Sequence, residues 1–378
     1  MTLRWIEGFE RGGDETILSR KYPGALTSAT NSSIALNDGF SSPSGNYLTS
    51  LVDTYQSPPV VGSASNDWIF GFAYRPGNTG ASPVQSGGIA GIGLANADGE
   101  QVRVQVANAA SSAPQGEGYQ LQIVRGSTVL ATSNEVFPAR GLRRWIYFEF
   151  KITVGDTGSV EGRYYDRKQK NGIQMLSWDN SLASVDTQEQ SSTGADSIVI
   201  HANSGSPSST HFDDIYLCDT AGTRNNDYLG PVAITAIDVS GDGDTTQWEL
   251  TGGATSTEDA WNEPENSQSL AEDDKRLKSQ STGAIHLATL DDVELVENVT
   301  IHGIAYAMHA RMETSGSLVL HHRFRKTTGT PAESEAGSHT VTSTSISCGT
   351  SVQEEDPNTG APWVVADIDG LQLGVRRD

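Results

Sequence analysis

Basic residues are scarce in this sequence: 25 Lys and Arg stand against 47 Asp and Glu, a formal charge of −22. Nucleic acid gives up its counterions only where protein cations meet phosphate. With no dense Lys/Arg tract, the chain is expected to have no nucleic-acid partner. Such an acidic surface favours solubility and discourages nonspecific association. Cysteine is almost absent. Cys218 and Cys348 lie far apart, unlike the locally paired cysteines of a disulfide framework. Both read as free thiols, Cys218 packing as a small apolar residue at a strand end. No run approaches the roughly 18 apolar residues of a membrane span, so membrane insertion is not expected. The opening MTLRWIEGFERGGDE has neither the basic nor the apolar region of a signal peptide. The sequons at Asn31 and Asn298 are therefore read as chance matches. Apolar content is low, at 36%, and residues 1–220 show no helical stripe of useful length.

What is there is alternation. In Asp67–Arg75 the residues Trp68, Phe70, Phe72 and Tyr74 share a face, with Ile69, Gly71 and Ala73 opposite. This is the period-two, aromatic-rich signature of a strand. Gly87–Ala95 and Glu100–Val106 read as a hairpin around Asn96-Ala97-Asp98-Gly99, with Val102, Val104 and Val106 on one face. Tyr119–Val124 and Thr128–Ser133 form another pair. In Arg144–Val154 the set Ile146, Phe148, Phe150, Ile152 and Val154 is the better core face, and Ser159–Arg167 returns beside it. Ser197–Ile200 and His211–Cys218 complete this half. Short strands joined by Gly, Ser, Asn and Pro loops imply an antiparallel sandwich closed as a jelly roll.

At 378 residues two domains are expected. We place the first at 1–222, a linker at 223–231 and a smaller C-terminal β-sandwich at 232–378. In the second half, Val232–Val239 reads as a strand, Gly241–Thr245 as a turn, Leu270–Leu277 as a short helix and Val299–Met312 as a long strand. Strands are also read at Ile285–Leu290, Ser317–Lys326, Ser338–Ser347 and Val364–Arg376.

Groups that could carry chemistry are few. Glu149 and Glu161 could meet across a hairpin, as a glycosidase pair would. Cross-strand charge pairing on a solvated face is the plainer expectation. Asp213 and Asp214 point to opposite faces of a strand. Bracing of a neighbouring loop's amides is the first reading for them, and a calcium site the second. Asp238, Asp242 and Asp244 read as an acidic turn. His211, His286, His302, His309, His321, His322 and His339 form no chelating motif. No cofactor is firmly implied, calcium being the one considered. Tyr164, Tyr165, Trp178 and Trp261 lie near loops and could stack on sugars or anchor a partner.

Residues 1–220 resemble the concanavalin A-like lectin/laminin-G jelly rolls. The segments that carry the likeness are DWIFGFAYR, IAGIGLANADGEQVRVQV, RRWIYFEFKITV followed by GSVEGRYYD, and FDDIYLCD. The resemblance implies that the final strand, Phe212–Asp219, returns to the middle of a sheet. Later segments resemble virion proteins of tailed bacteriophages. There a lectin-like domain is followed by D-T-x-G-x-x-N-N-x-(F/Y)-L-G, the pattern of Asp219–Gly230. An N-P-x-T-G-x-x-W segment and an L-x-x-G-V tail follow, similar to Asp356–Trp363 and Leu371–Val375. The resemblance implies a virion structural protein without catalysis, located in the virion. A tail-fibre or tail-tip component is the first expectation, a capsid decoration protein the second and a glycan-degrading depolymerase the third. The partners implied are other virion proteins, further copies of the chain and a host-surface glycan.

Overall fold

A computed structural model of the protein describes residues 3–8, 33–35, 47–50, 54–57, 60, 64–76, 89–109, 118–138, 144–166, 172–191, 194–203, 210–262, 275–293, 299–327, 332–342 and 347–378. The chain forms two compact units that meet in sequence at Ile234 and Thr235.

The first unit is two facing antiparallel sheets. Sheet A runs β13 (Ile173–Met175), β12 (Ser159–Asp166), β11 (Ile146–Thr153), β5 (Asp67–Pro76), β15 (Thr210–Asp219), β3 (Tyr47–Ser50), β2 (Ser33–Ala35). The strand β1 (Leu3–Glu7) pairs with β15 as well. Sheet B runs β10 (Phe137–Pro138), β8 (Gly118–Arg125), β7 (Gly99–Asn108), β6 (Ile89–Asn96), β14 (Ser197–Asn203), β4 (Thr54–Gln56), with β9 (Thr128–Thr132) on β8. The last strand, β15, sits inside sheet A between β5 and β3, the crossover expected of a jelly roll.

The alternation read in the sequence is the packing found. Phe70, Phe72 and Tyr74 of β5, Phe148 and Phe150 of β11, and Val102, Val104 and Val106 of β7 all lie in one core. Phe72 sits at its centre, 5.8 Å from Phe148 and 5.9 Å from Phe212 between ring centroids. Each such buried ring contributes about 1.5–3 kcal/mol through the water it leaves. The β6–β7 hairpin closes where Asn96 faces Gly99. Gly99 has φ +126°, a backbone angle that side chains disfavour.

The second unit holds a sheet ordered β16 (Val239–Thr246), β19 (Ile285–Leu290), β24 (Leu371–Arg377), β21 (Leu318–Lys326), β22 (Ala332–Val341). One face packs against the pair β20 (Ile304–Ala310) and β23 (Ser347–Gln353), through Tyr306 and Met308 on one side and Leu320, Phe324 and Val375 on the other. A smaller pair joins β17 (Glu249–Thr251) to β18 (Arg276–Lys278). The helices described are α1 (Thr257–Asn262) and α2 (Val365–Ile368). The protein is thus all-β, a jelly roll followed by a smaller β-sandwich.

Several expectations for this unit need correction. The stretch before Val239 is irregular, and the strand lies where a turn over Gly241–Thr245 was read. Gly and Asp at 241–244 resemble turn chemistry. The strand bulges there, and its acids find partners: Asp244 N–H donates to Gln372 Oε1 at 3.0 Å, and Arg325 pairs with the Asp244 carboxylate. Asp242 accepts a hydrogen bond from Thr257. These aspartates are ladder residues rather than a loop. The long strand read at Val299–Met312 is confined to Ile304–Ala310. The segment read as one strand over Val364–Arg376 is α2 followed by β24. Of the helix read at Leu270–Leu277, residues 270–274 fall outside the described residues and Arg276–Lys278 are strand.

Candidate functional site

Glu149 and Glu161 do not make an open acid pair. Glu149 is 2% exposed, covered by the chain that leaves β15. Arg163 donates to Glu149 Oε2 at 2.6 Å. Tyr216 O–H and Gly230 N–H donate to Oε1 at 2.6 and 2.8 Å. Tyr228 O–H donates to Glu161, and its ring lies 4.1 Å from the Arg163 guanidinium and 4.4 Å from the Lys151 ammonium. The solvated face expected around Glu149 is therefore a buried polar seam. Gly71 makes room for it, since a Cβ there would stand 2.4 Å from the Tyr216 ring.

Asp213 and Asp214 are also buried. Asp213 Oδ1 accepts the Asp214 N–H at 2.9 Å, and Asp214 Oδ1 accepts the Ile234 N–H at 2.8 Å. Asp214 has φ +46° at a bulge, which turns both carboxylates toward backbone amides. A calcium ion asks for six to eight oxygens; these bonds use one oxygen of each carboxylate, and among the described residues no group of three or more His, Cys, Asp or Glu is placed to hold a metal. The amide-bracing reading fits these bonds. Cys218 is buried on the same strand, and neither it nor Cys348 of the second unit is in a disulfide.

The four aromatics are divided between the two units. Tyr164 turns toward the core, 5.1 Å from Phe137. Tyr165 lies half-buried on the opposite face of β12. Trp178 is half-buried and lines an open depression with Glu161, Leu176, Asn180 and Leu182. Trp261 belongs to the second unit, packed 6.3 Å from His286 and 6.5 Å from Tyr306.

What the fold does bring together is a polar row across the outer face of sheet B. His201 on β14 faces Gly91 on β6, Gly91 faces Gln105 on β7, Gln105 faces Gln122 on β8, and Gln122 faces Thr132 on β9. Five adjacent strands span about 19 Å. Their other faces supply the core, so these residues face outward together. Arg103 Nε donates to Gln105 Oε1 at 2.8 Å, and Gln105 Nε2 donates to Gln122 Oε1 at 3.0 Å. Glu100 closes the row at the other end. Its Oε1 accepts from Arg103 at 2.6 Å, while its Oε2 meets His201 Nε2. To do so it lies over Gly93, where a Cβ would stand 2.3 Å from Oε2. Burial raises the Glu100 pKa. The bonds and charges of His201 and Arg103 outweigh that and hold it below the ordinary carboxylate value.

None of Glu100, Arg103, Gln105, Gln122 or His201 stood among the candidates read from the sequence. Alternation alone marks Arg103 and Gln105 as outward, which is true of any solvent face. The signal was the pair of glycines, Gly91 and Gly93, opposite a charged strand; it needs the register to be legible.

The sequence matches no family model and no curated protein. Among solved structures it is similar to the alginate lyase Aly36B, with 11% identity over 57% of this chain and 95% of that one, at a TM-score of 0.37. It is similar to the cellulose-induced protein Cip1, with 14% identity over 60% of this chain and 100% of that one, at a TM-score of 0.35. It is also similar to the exoplasmic/lumenal domain of VIP36 in its Ca2+- and mannose-bound form, with 10% identity over 55% and 98% of the two chains, at a TM-score of 0.32. The expectation of a protein without catalysis is corrected here. Alginate lyases and an endo-β-1,4-glucuronan lyase from the fungus Trichoderma reesei are among the structures this chain is similar to, so enzymes are not set aside.

Proposed function

We propose that the chain is a part of a tailed-phage virion, carried on the tail or tail tip, whose first unit engages a host-surface glycan across the outer face of sheet B. The observation that carries this reading is the hydrogen-bonded row from His201 and Glu100 through Arg103 and Gln105 to Gln122. A sugar chain presents hydroxyls that both donate and accept, and amides, a guanidinium and an imidazole answer both. Rigid strands hold these groups in place before the ligand arrives, which limits the entropy that binding must overcome. Repeated copies on one particle would raise weak single contacts by avidity. The phage placement is supported by the Asp219–Gly230 pattern, whose Tyr228 and Gly230 dock onto sheet A.

Binding to a glycan array tests the site. Replacing Gln105 and Gln122 together with Ala is expected to weaken the bound glycan at least about tenfold, or 1.4 kcal/mol. Trp178→Ala is expected to leave it unchanged. The reverse pattern would move the site to the Trp178 depression and overturn this reading. Gly93→Ala displaces Glu100 and is expected to weaken binding while the melting temperature holds. Immunogold labelling of virions is expected on the tail; label on heads alone would contradict the tail placement.

A further inference from the structure

The polar row contains a proton acceptor, and its use rests on reading that face as a glycan site. Glu100 occupies Nε2 of His201, and among the described residues nothing bonds to Nδ1. A carboxylate on one imidazole nitrogen places the proton there and leaves a lone pair on the other. His201 is thereby presented as a general base.

Its surroundings narrow the chemistry. Hydrolysis by two carboxylates needs a second acid across the sugar. Glu100, the carboxylate of this row, is already shared between Arg103 and His201. Nucleophilic catalysis needs a hydroxyl or thiol bonded to the imidazole, and the partner of His201 is Glu100. A base beside a guanidinium suits instead a carbon acid next to a carboxylate, whose developing charge Arg103 would offset. Arg103 is fixed for this by Gln105 and by the Gly126 carbonyl.

We propose that His201 removes the C5 proton of a uronate residue in an acidic polysaccharide, cleaving the chain by β-elimination. The C5–H bond breaks and its proton passes to Nδ1. The freed electron pair forms a C4=C5 double bond as the C4–O glycosidic bond breaks. The departing oxygen regains a proton from the imidazolium, so atoms and charge balance without a co-reactant. Glu100 acts as a positioning residue through His201.

The test uses the full chain with alginate and with polygalacturonate. Two readouts are followed, the ultraviolet absorbance of the new double bond and affinity electrophoresis. The wild type is expected to raise the absorbance on one of these polymers. His201→Ala is expected to slow that rise by about 100-fold or more, a far larger loss than the change in retardation of the polymer in the gel. Glu100→Gln keeps the side chain's shape and its place in the row, and is expected to lower kcat far more than it raises KM. A merely structural role would change KM alongside kcat. Binding of the polymers without new absorbance, or cleavage untouched by His201→Ala, overturns the proposal and leaves the glycan site standing. Binding of neutral glycans alone does the same. No glycan binding at all removes both.

Discussion

Glu149→Ala is expected to destabilise the first unit by about 3 kcal/mol, the low end for breaking a buried charge pair, because Arg163 keeps some contact with water. The loss has three parts. Arg163 is left beside a cavity, and the Tyr216 hydroxyl and the Gly230 N–H lose their acceptor. Burial first, and then the Glu149 charge, push the Tyr216 hydroxyl well above its ordinary pKa, so it remains a donor in search of an acceptor. Glu149→Gln keeps the shape and two acceptor sites and is expected to cost less than half as much. Multi-domain proteins depart from two-state unfolding, so hydrogen exchange at β11 and β15 is the measurement. A loss below about 1 kcal/mol would place Glu149 in the class of surface pairs and contradict the seam.

Acid is expected to weaken the second unit by about 3 kcal/mol between pH 7 and pH 4, through His322. This side chain is fully buried on β21, facing Val375 on β24 and Gly337 on β22. Tyr306 packs edge-on to its ring at 4.7 Å, Ser351 bonds to Nδ1, and Nε2 is buried with no partner. Burial first, then the charges of His339 and His321, lower its pKa to about 4, against the opposing pull of Glu335. The sign follows. The unfolded chain takes up the proton near pH 6.5, and the folded one does not until about pH 4. Stability is therefore complete above pH 6.5 and falls as acid is added, with the loss complete below pH 4. His286 and His339, both lowered by burial, act in the same direction. Melting curves from pH 8 to pH 4 check this. The transition of the second unit should fall with pH, and His322→Leu should flatten the fall. A pH-independent transition would contradict it.

The strands of the first unit were legible because each buries one face, and period two records this directly. Phe70, Phe72, Phe148 and Phe150 announced the core. The second unit was less legible where burial and composition disagree. Gly243 in β16 lies so close to β19 that a Cβ would stand 2.7 Å from Leu287. A glycine serving close approach reads like a turn. The acids of sheet A are hard to read from the sequence for a related reason. Glu149 faces away from the core as alternation requires, but residues 228–230 return over it, a contact that lies far off in the chain. His201 was invisible because one histidine in a short strand says nothing until its register sets it beside Glu100.

Hydrogen exchange of the full chain, with and without a glycan that it binds, tests most directly whether the outer face of sheet B is the functional surface. Slower exchange is expected at Gly99–Asn108, Gly118–Arg125 and His201, with sheet A unchanged. Protection confined to residues 173–183 around Trp178, or to the second unit, would contradict it.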